Sequence, residues 1–315
     1  MRIFVFLCIL FALPVCAQPF PGKPVRIVIP FSPGGSADLQ ARSLGQKLAE
    51  IWGQPVLVEP KPGAGTTIGA AYAASQPPDG YTLYFAGASL LISGGLYKNL
   101  SYHPVKSFAP VSMVANSPYF LVVSPAVPVG SVKELIELAK AKPKTVTYGS
   151  AGNGSGSHLA GELFRMLTGA DIVHVPYKGQ APAIVAVAGG EVNMLFADVA
   201  AAPLMQSGKL KGLAVTSDKR ATAFPNLPTI GEAGLPTYEM SNWGVIVAPA
   251  GTPRDIVAQV NAAIVKALAD PEVRQRFAGQ GFEAMSSTPD VVGRLLESEF
   301  AKYEKVIRES GMKIE

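Results

Sequence analysis

The stretch VRIVIPFSPGGSADLQARSLGQKLAEIW, residues 25–52, carries three local signals in one run. Val25-Arg26-Ile27-Val28-Ile29 is β-branched and short, which predicts a buried strand. Pro30 stops it, and Ser32-Pro33-Gly34-Gly35-Ser36 forms a tight loop in which glycine can take positive φ. A helix follows, with Ala37, Ala41, Leu44, Leu48 and Ile51 on one face and Gly53 as its stop. Strand, glycine turn and helix start together make an anion cradle, because free backbone N–H groups and the positive end of the helix dipole converge there. Asp38, in the first helical turn, suits that dipole and equally suits an ammonium or hydroxyl on a ligand. No nucleophile, metal cluster or base accompanies the motif, so it reads as a site that holds something negative rather than one that transforms it.

Outward from this unit the pattern repeats. Pro55–Glu59 predicts a second strand, Thr67–Ser75 a small-residue helix, and Tyr81–Phe85 a third strand ending in the loop Gly87-Ala88-Ser89. Strands alternating with helices predict a parallel sheet, and ligands of such sheets sit at the carboxyl ends of the strands. Residues 31–35 and 86–89 would then share one edge. Further strands are predicted at 119–123, 145–148, 172–175, 192–196, 213–216 and 242–249, with Asp198 just beyond the fourth of these. Ser131-Val132-Lys133-Glu134 is a capping box opening a helix. Two late helices are predicted from Thr252 and from Thr288.

The nine residues Gly149–Ser157 hold four glycines and three serines between a strand and an apolar helical pattern (Leu159, Leu163, Met166, Leu167). That is the opening motif again, and a matched pair favours ligand binding over a simple turn. The organisation predicted is α/β with two lobes: residues 18–122 plus 246–315 form the first and 123–245 the second. Each lobe has a mainly parallel sheet flanked by helices. The two glycine-rich loops face each other across a cleft.

The first seventeen residues stand apart. Met1-Arg2 is followed by about eleven apolar residues, short of the roughly twenty that span a bilayer, and Val15-Cys16-Ala17 resembles a cleavage site. A cleaved export signal with a mature start at Gln18 is the expectation; acylation of Cys16 fits less well because Val15 is bulky. Both cysteines, Cys8 and Cys16, fall in this segment, so the mature chain would have no disulfide, thiolate or cysteine metal site. A formal charge of +4 on 315 residues is too mild for a nucleic-acid footprint. Roughly 300 residues then remain, enough for two ordinary domains.

Enzyme templates fail. Ser155 has Asn153 and Ser157 where a nucleophile elbow needs glycines, and neither a phosphate-binding P-loop nor a dinucleotide fingerprint occurs. A serine hydrolase using Ser155 and His158 is the alternative from another class, but no activating carboxylate is evident. His158 reads as a loop anchor, while His103 and His174 read as surface or strand residues. The loops hold no arginine and Lys178 is the nearby cation, so a bound carboxylate would rely on N–H groups, hydroxyls and water. No cofactor or metal is expected.

In chain order, KPVRIVIPFSPGGSAD, VEPKPGAGTTIGA, PDGYTL, HPVKSFAPV, SVKELIELAKAKP, YGSAGNGSGSHLAGELF, HVPYKG, KLKGLAVTSDKR, PNLPTIGEAG and APAGTPRDIV resemble the Bug family across nearly the whole mature chain. These are the TctC-like periplasmic solute-binding proteins of tripartite tricarboxylate transporters. The resemblance implies a two-lobed type II binding-protein fold, a small carboxylate ligand, a membrane permease as partner, a monomer, and a periplasmic location. The ligand could be a dicarboxylate, a tricarboxylate, an acidic amino acid or an aromatic acid; a sensor signalling to a membrane kinase is a variant of the same role. Carried over, the ligand contacts would be Ser32, Pro33, Gly34, Gly35 and Asp38 on one side. Opposite them would stand Ser150, Ala151, Gly152, Asn153, Gly154, Ser155 and His158, with Ala88, Ser89, Tyr177 and Asp198 lining the rest. Two departures show: Pro60 and Thr66 replace the usual Asn and Gly, and 87–89 lacks the usual threonine or histidine character.

Overall fold

The computed structural model describes residues 20–221 and 223–312; the expected export signal lies outside the described residues. The first lobe begins with β1 (Val25–Ile29), α1 (Ser36–Trp52), β2 (Val56–Pro60), α2 (Thr67–Ala74), β3 (Thr82–Gly87), α3 (Ala88–Leu96) and β4 (Phe108–Pro118). The second lobe is built from β5 (Phe120–Val123), α4 (Val132–Ala141), β6 (Thr147–Ser150), α5 (Gly156–Thr168), β7 (Val173–Pro176), α6 (Gln180–Ala188), β8 (Met194–Ala197), α7 (Ala202–Gln206) and β9 (Lys211–Val215). The chain then returns to the first lobe through β10 (Ser241–Pro249), α8 (Arg254–Ala269), α9 (Pro271–Gly279), β11 (Glu283–Ala284) and α10 (Pro289–Ser310).

β1 is a strand because Val25, Ile27, Val28 and Ile29 are all fully buried between parallel neighbours β2 and β3. α1 buries Ala41, Leu44 and Leu48 against that sheet, and Gly53 ends it in the left-handed conformation at φ 63°. The six-stranded sheet runs β11-β4-β10-β3-β1-β2 and the five-stranded one β7-β6-β8-β5-β9. The parallel pairs are the strands that feed helices: β1 with β2 and β3, and β6 with β7 and β8. The strands next to the crossings, β4, β5 and β10, add antiparallel neighbours, so both sheets are mixed.

The crossings have a local cause. Pro118 has no N–H to donate, which ends β4, and β5 starts two residues later in the other sheet. The expected divides at 122/123 and 245/246 therefore fall inside β5 and β10, whose buried runs each pair wholly within one sheet. At the crossing Tyr119 N–H donates to Thr216 Oγ1 (2.9 Å) and Thr216 N–H to Tyr119 O (3.0 Å), while Met240 N–H on the returning chain donates to Thr216 O (3.3 Å). α10 packs on α3 and β4 of the first lobe and on α5 of the second.

α3 and α9 were not foreseen. Glycine is a poor helix former, but α3 needs Gly94 and Gly95: a Cβ at Gly94 would stand 2.3 Å from Pro104, and one at Gly95 2.7 Å from Ile307. Asp270, whose side chain accepts from Glu272 N–H and Val273 N–H, caps α9 with Pro271 in its first turn.

Candidate functional site

The first glycine loop follows β1. Residues 31–35 are exposed, and Gly34 has φ 88°, which favours glycine. Its N–H donates to Asp38 Oδ2 at 2.9 Å, and Arg42 Nε lies 2.8 Å from Oδ1. Burial pushes the Asp38 carboxyl up, but Arg42 and the Gly34 N–H outweigh it and hold it below its ordinary value. Asp38 is 3% exposed, and with Gly34 N–H and Arg42 on its two oxygens its carboxylate organises the turn.

What the loop leaves free is the start of α1. Gly35, its N-cap, is extended and offers no side-chain acceptor to the first-turn N–H groups. A Cβ on Gly35 would meet nothing nearer than Ser32 O at 4.0 Å. Beside it, since β3 neighbours β1, Gly87 starts α3 in the same uncapped way. Ala88 is buried and Ser89 half-buried in the first turn of α3, so what reads as a loop in the sequence is a second bare helix start.

The second loop is built oppositely. Ser150 is fully buried; its Oγ accepts from Gly152 N–H at 3.1 Å and stands 2.6 Å from His174 Nε2. Ala151 N–H donates to Ser157 Oγ (2.9 Å), which lies 3.1 Å from Ser155 Oγ. Ser155 caps α5 by accepting from His158 N–H (3.2 Å), and Gly154 N–H donates to His158 Nδ1 (3.2 Å). The His158 ring, 4% exposed, stacks on His174 with centroids 3.7 Å apart and planes at 6°. Burial pushes His158 down to about 4; burial and then His158 push His174 down to about 3, so both rings are neutral at pH 7. His174 is thus more than a strand residue. It is the prop beneath this loop, and nothing in its strand context signals that.

Asn153 and His158 also line a cavity of about 360 Å³ with Glu162, Arg165 and His174, near the end of α10. Tyr177 is half-buried against the loop; its N–H donates to Ser150 O (3.0 Å), and its carbonyl would lie 3.1 Å from a Cβ on Gly152. Lys178 is exposed.

The two lobes meet at Asp198. It lies at the carboxyl end of β8 and is 4% exposed. Its Oδ1 accepts from Ala200 N–H (3.0 Å) and its Oδ2 from Ser36 Oγ (3.0 Å) in the first turn of α1. Burial pushes its pKa up against these two hydrogen bonds. Ser36 is not among the sequence-derived ligand residues; 162 positions separate the pair, so no local pattern announces it. Gly154 also approaches the first lobe: a Cβ there would stand 3.3 Å from Leu96 of α3.

Hydrolytic chemistry finds no support in this geometry. Ser155 Oγ meets the backbone of His158, whose ring nitrogen is occupied by Gly154 N–H. The Ser150–His174 pair is sealed from the surface at its serine. Among the described residues no group of three or more His, Cys, Asp or Glu side chains is placed to hold a metal ion.

Residues 40–312 match the family model described as tripartite tricarboxylate transporter family receptor, TctC. Protein BugT of Bordetella pertussis is 38% identical over 309 residues, 96% of this chain and 94% of that one. The structure of Rhodopseudomonas palustris Rpa4515 with adipate superposes with a TM-score of 0.85 at 35% identity, covering 93% of this chain and 99% of that one. MatC from the same organism, with bound malate, gives 0.83 at 32% identity, covering 91% and 100%.

Proposed function

The chain belongs to the TctC family of tripartite tricarboxylate transporter receptors and is a solute-binding protein rather than an enzyme, and on that footing we propose that it captures a small organic carboxylate between its lobes in the periplasm and delivers it to a membrane permease. One observation carries the reading: the bare N-terminus of α1 lies in contact, through Ser36, with the lobe that carries the glycine-serine loop. An anion placed there meets N–H donors and the positive ends of helix dipoles. Of the cations near these loops, Arg42 is paired with Asp38 and Lys178 is exposed.

Adipate and malate, bound by the two relatives, make a dicarboxylate or hydroxy-dicarboxylate the first class to examine. Tricarboxylates, acidic amino acids and aromatic acids share the group that the clamp would hold. Export by cleavage before Gln18 and action as a monomer complete the reading. Its mechanism is selection of the closed form by a solute that touches both lobes. A thermal-shift screen of these acids is the test. A ligand at 100 times its dissociation constant adds about 2.7 kcal/mol, so the right class raises Tm clearly. A panel of organic acids that leaves Tm unmoved contradicts the reading.

A further inference from the structure

Two side-chain hydrogen bonds among the described residues join the lobes. Arg165 Nη2 donates to Ser310 O at the end of α10, and Ser36 Oγ donates to Asp198 Oδ2 beside the cleft. The first lies with the helix that already packs on both lobes. The second has no such scaffold: it links the first turn of α1 to the end of β8, next to the point where the chain crosses.

We propose that Ser36 and Asp198 form a clasp that positions the start of α1 against the second lobe, and that Asp198 acts through Ser36 without touching the solute. The inference deepens the proposed solute site and rests on that reading for its ligand-binding arm only.

The geometry assigns the roles. Each Asp198 oxygen already has a donor, one from its own lobe and one from the other. The carboxylate is almost fully buried and has no cationic partner within ion-pair distance among the described residues. Opening the lobes would take away one of its two donors and leave the other, so the penalty falls on separation. Ser36 is the residue whose own N–H begins the bare helix start. Holding its hydroxyl therefore fixes the direction of the first-turn donors toward the second loop. A negative charge that touched the solute directly would oppose carboxylate binding, whereas one held by a serine hydroxyl at a helix N-terminus is favourably placed.

The test is a double-mutant cycle on Ser36→Ala and Asp198→Ala, with Ser36→Thr as the variant that keeps a hydroxyl. Dissociation and association rates of adipate and malate are read by stopped flow, and lobe separation in the ligand-free protein by spin labels at the exposed positions Leu57 and Val185. Hydrogen bonds to a charged group are worth enough that Ser36→Ala should speed dissociation about tenfold, with association changed less than about twofold. The double variant should be no faster than Asp198→Ala alone, Ser36→Thr should restore the wild-type rate, and the ligand-free lobes of Ser36→Ala should stand further apart. Additive effects, or loss of binding in Asp198→Ala with none in Ser36→Ala, would overturn the clasp and make Asp198 a solute contact. If neither acid binds the wild type, the solute reading fails on those ligands, and the label distances alone decide the clasp: unchanged separation in Ser36→Ala refutes it.

Discussion

The two glycine loops follow the same plan of strand, loop and helix, yet they spend their hydrogen bonds in opposite ways. Residues 31–35 are exposed, and their one internal prop is Asp38 on Gly34; the helix they introduce begins without a side-chain cap. Residues 150–158 satisfy themselves. Ser150, Ser155, Ser157 and His158 take up N–H groups of Gly152, His158, Ala151 and Gly154, and His174 is stacked beneath. A loop with unspent donors can offer them to a solute. A loop that has spent them is a wall of fixed shape. The difference teaches that a repeated motif need not mean a repeated role, and it sorts the consequences of mutation.

The largest effect should come from Gly35→Asp. Gly35 has φ −84° and open space where a Cβ would point, so the fold tolerates a side chain, while a carboxylate there fills and repels the anion position. Carboxylate affinity should fall at least about hundredfold with Tm within a few degrees of wild type, measured by calorimetry and thermal melt. An affinity that survives would move the site off this loop.

Acid should act on the other loop. His158 and His174 are neutral when folded, with pKa values of about 4 and about 3, against an ordinary 6.5. Below about 6.5 the unfolded chain takes up protons that the folded rings refuse, so stability drains away as pH falls toward about 4. Tm should decline over that window, and His174→Gln should flatten the decline; a flat profile in the wild type would deny the buried stack.

Gly156→Ala should cost stability where Gly35→Ala does not. A Cβ at Gly156 would stand 2.2 Å from the buried Tyr119 hydroxyl, an overpacking clash worth roughly 1–3 kcal/mol in denaturant melts. Equal stability of the two alanine variants would erase the contrast between the loops. Smallest is Ser155→Ala, which removes the α5 cap at a cost of about 1 kcal/mol and should change affinity less than threefold. A Ser155→Ala protein that loses binding altogether would show that this hydroxyl is spent on the solute after all.

Much of the fold was legible in the sequence, which reads the two loops as one repeated motif, and the part that was not has physical reasons. β1, α1 and the Gly53 stop follow from a β-branched run, a helical apolar face and a glycine in the left-handed region. The Ser131 cap forms, with Glu134 N–H donating to Ser131 Oγ, while the Glu134 carboxylate accepts from Gly130 N–H, one residue before the cap, where a capping box would use the cap's own N–H. β4 was missed because Pro110, Ser112, Asn116 and Ser117 break its apolar pattern, and its pairing with β10 shifts register twice. α3 was hidden by glycines that serve tertiary contacts with Pro104 and Ile307. The inward turn of Asp38 could have been read, since Gly34 and Arg42 stand four residues to either side of it. Ser36 on Asp198 and His158 on His174 could not, because each joins distant elements with no sequence pattern of their own.

Backbone amide resonances followed while adipate or malate is titrated test the central claim most directly. The bare helix start predicts saturable shifts of the Ser36 and Ala37 N–H groups, with smaller ones across residues 151–155. Saturable binding that leaves Ser36 and Ala37 unmoved and shifts amides elsewhere would contradict it.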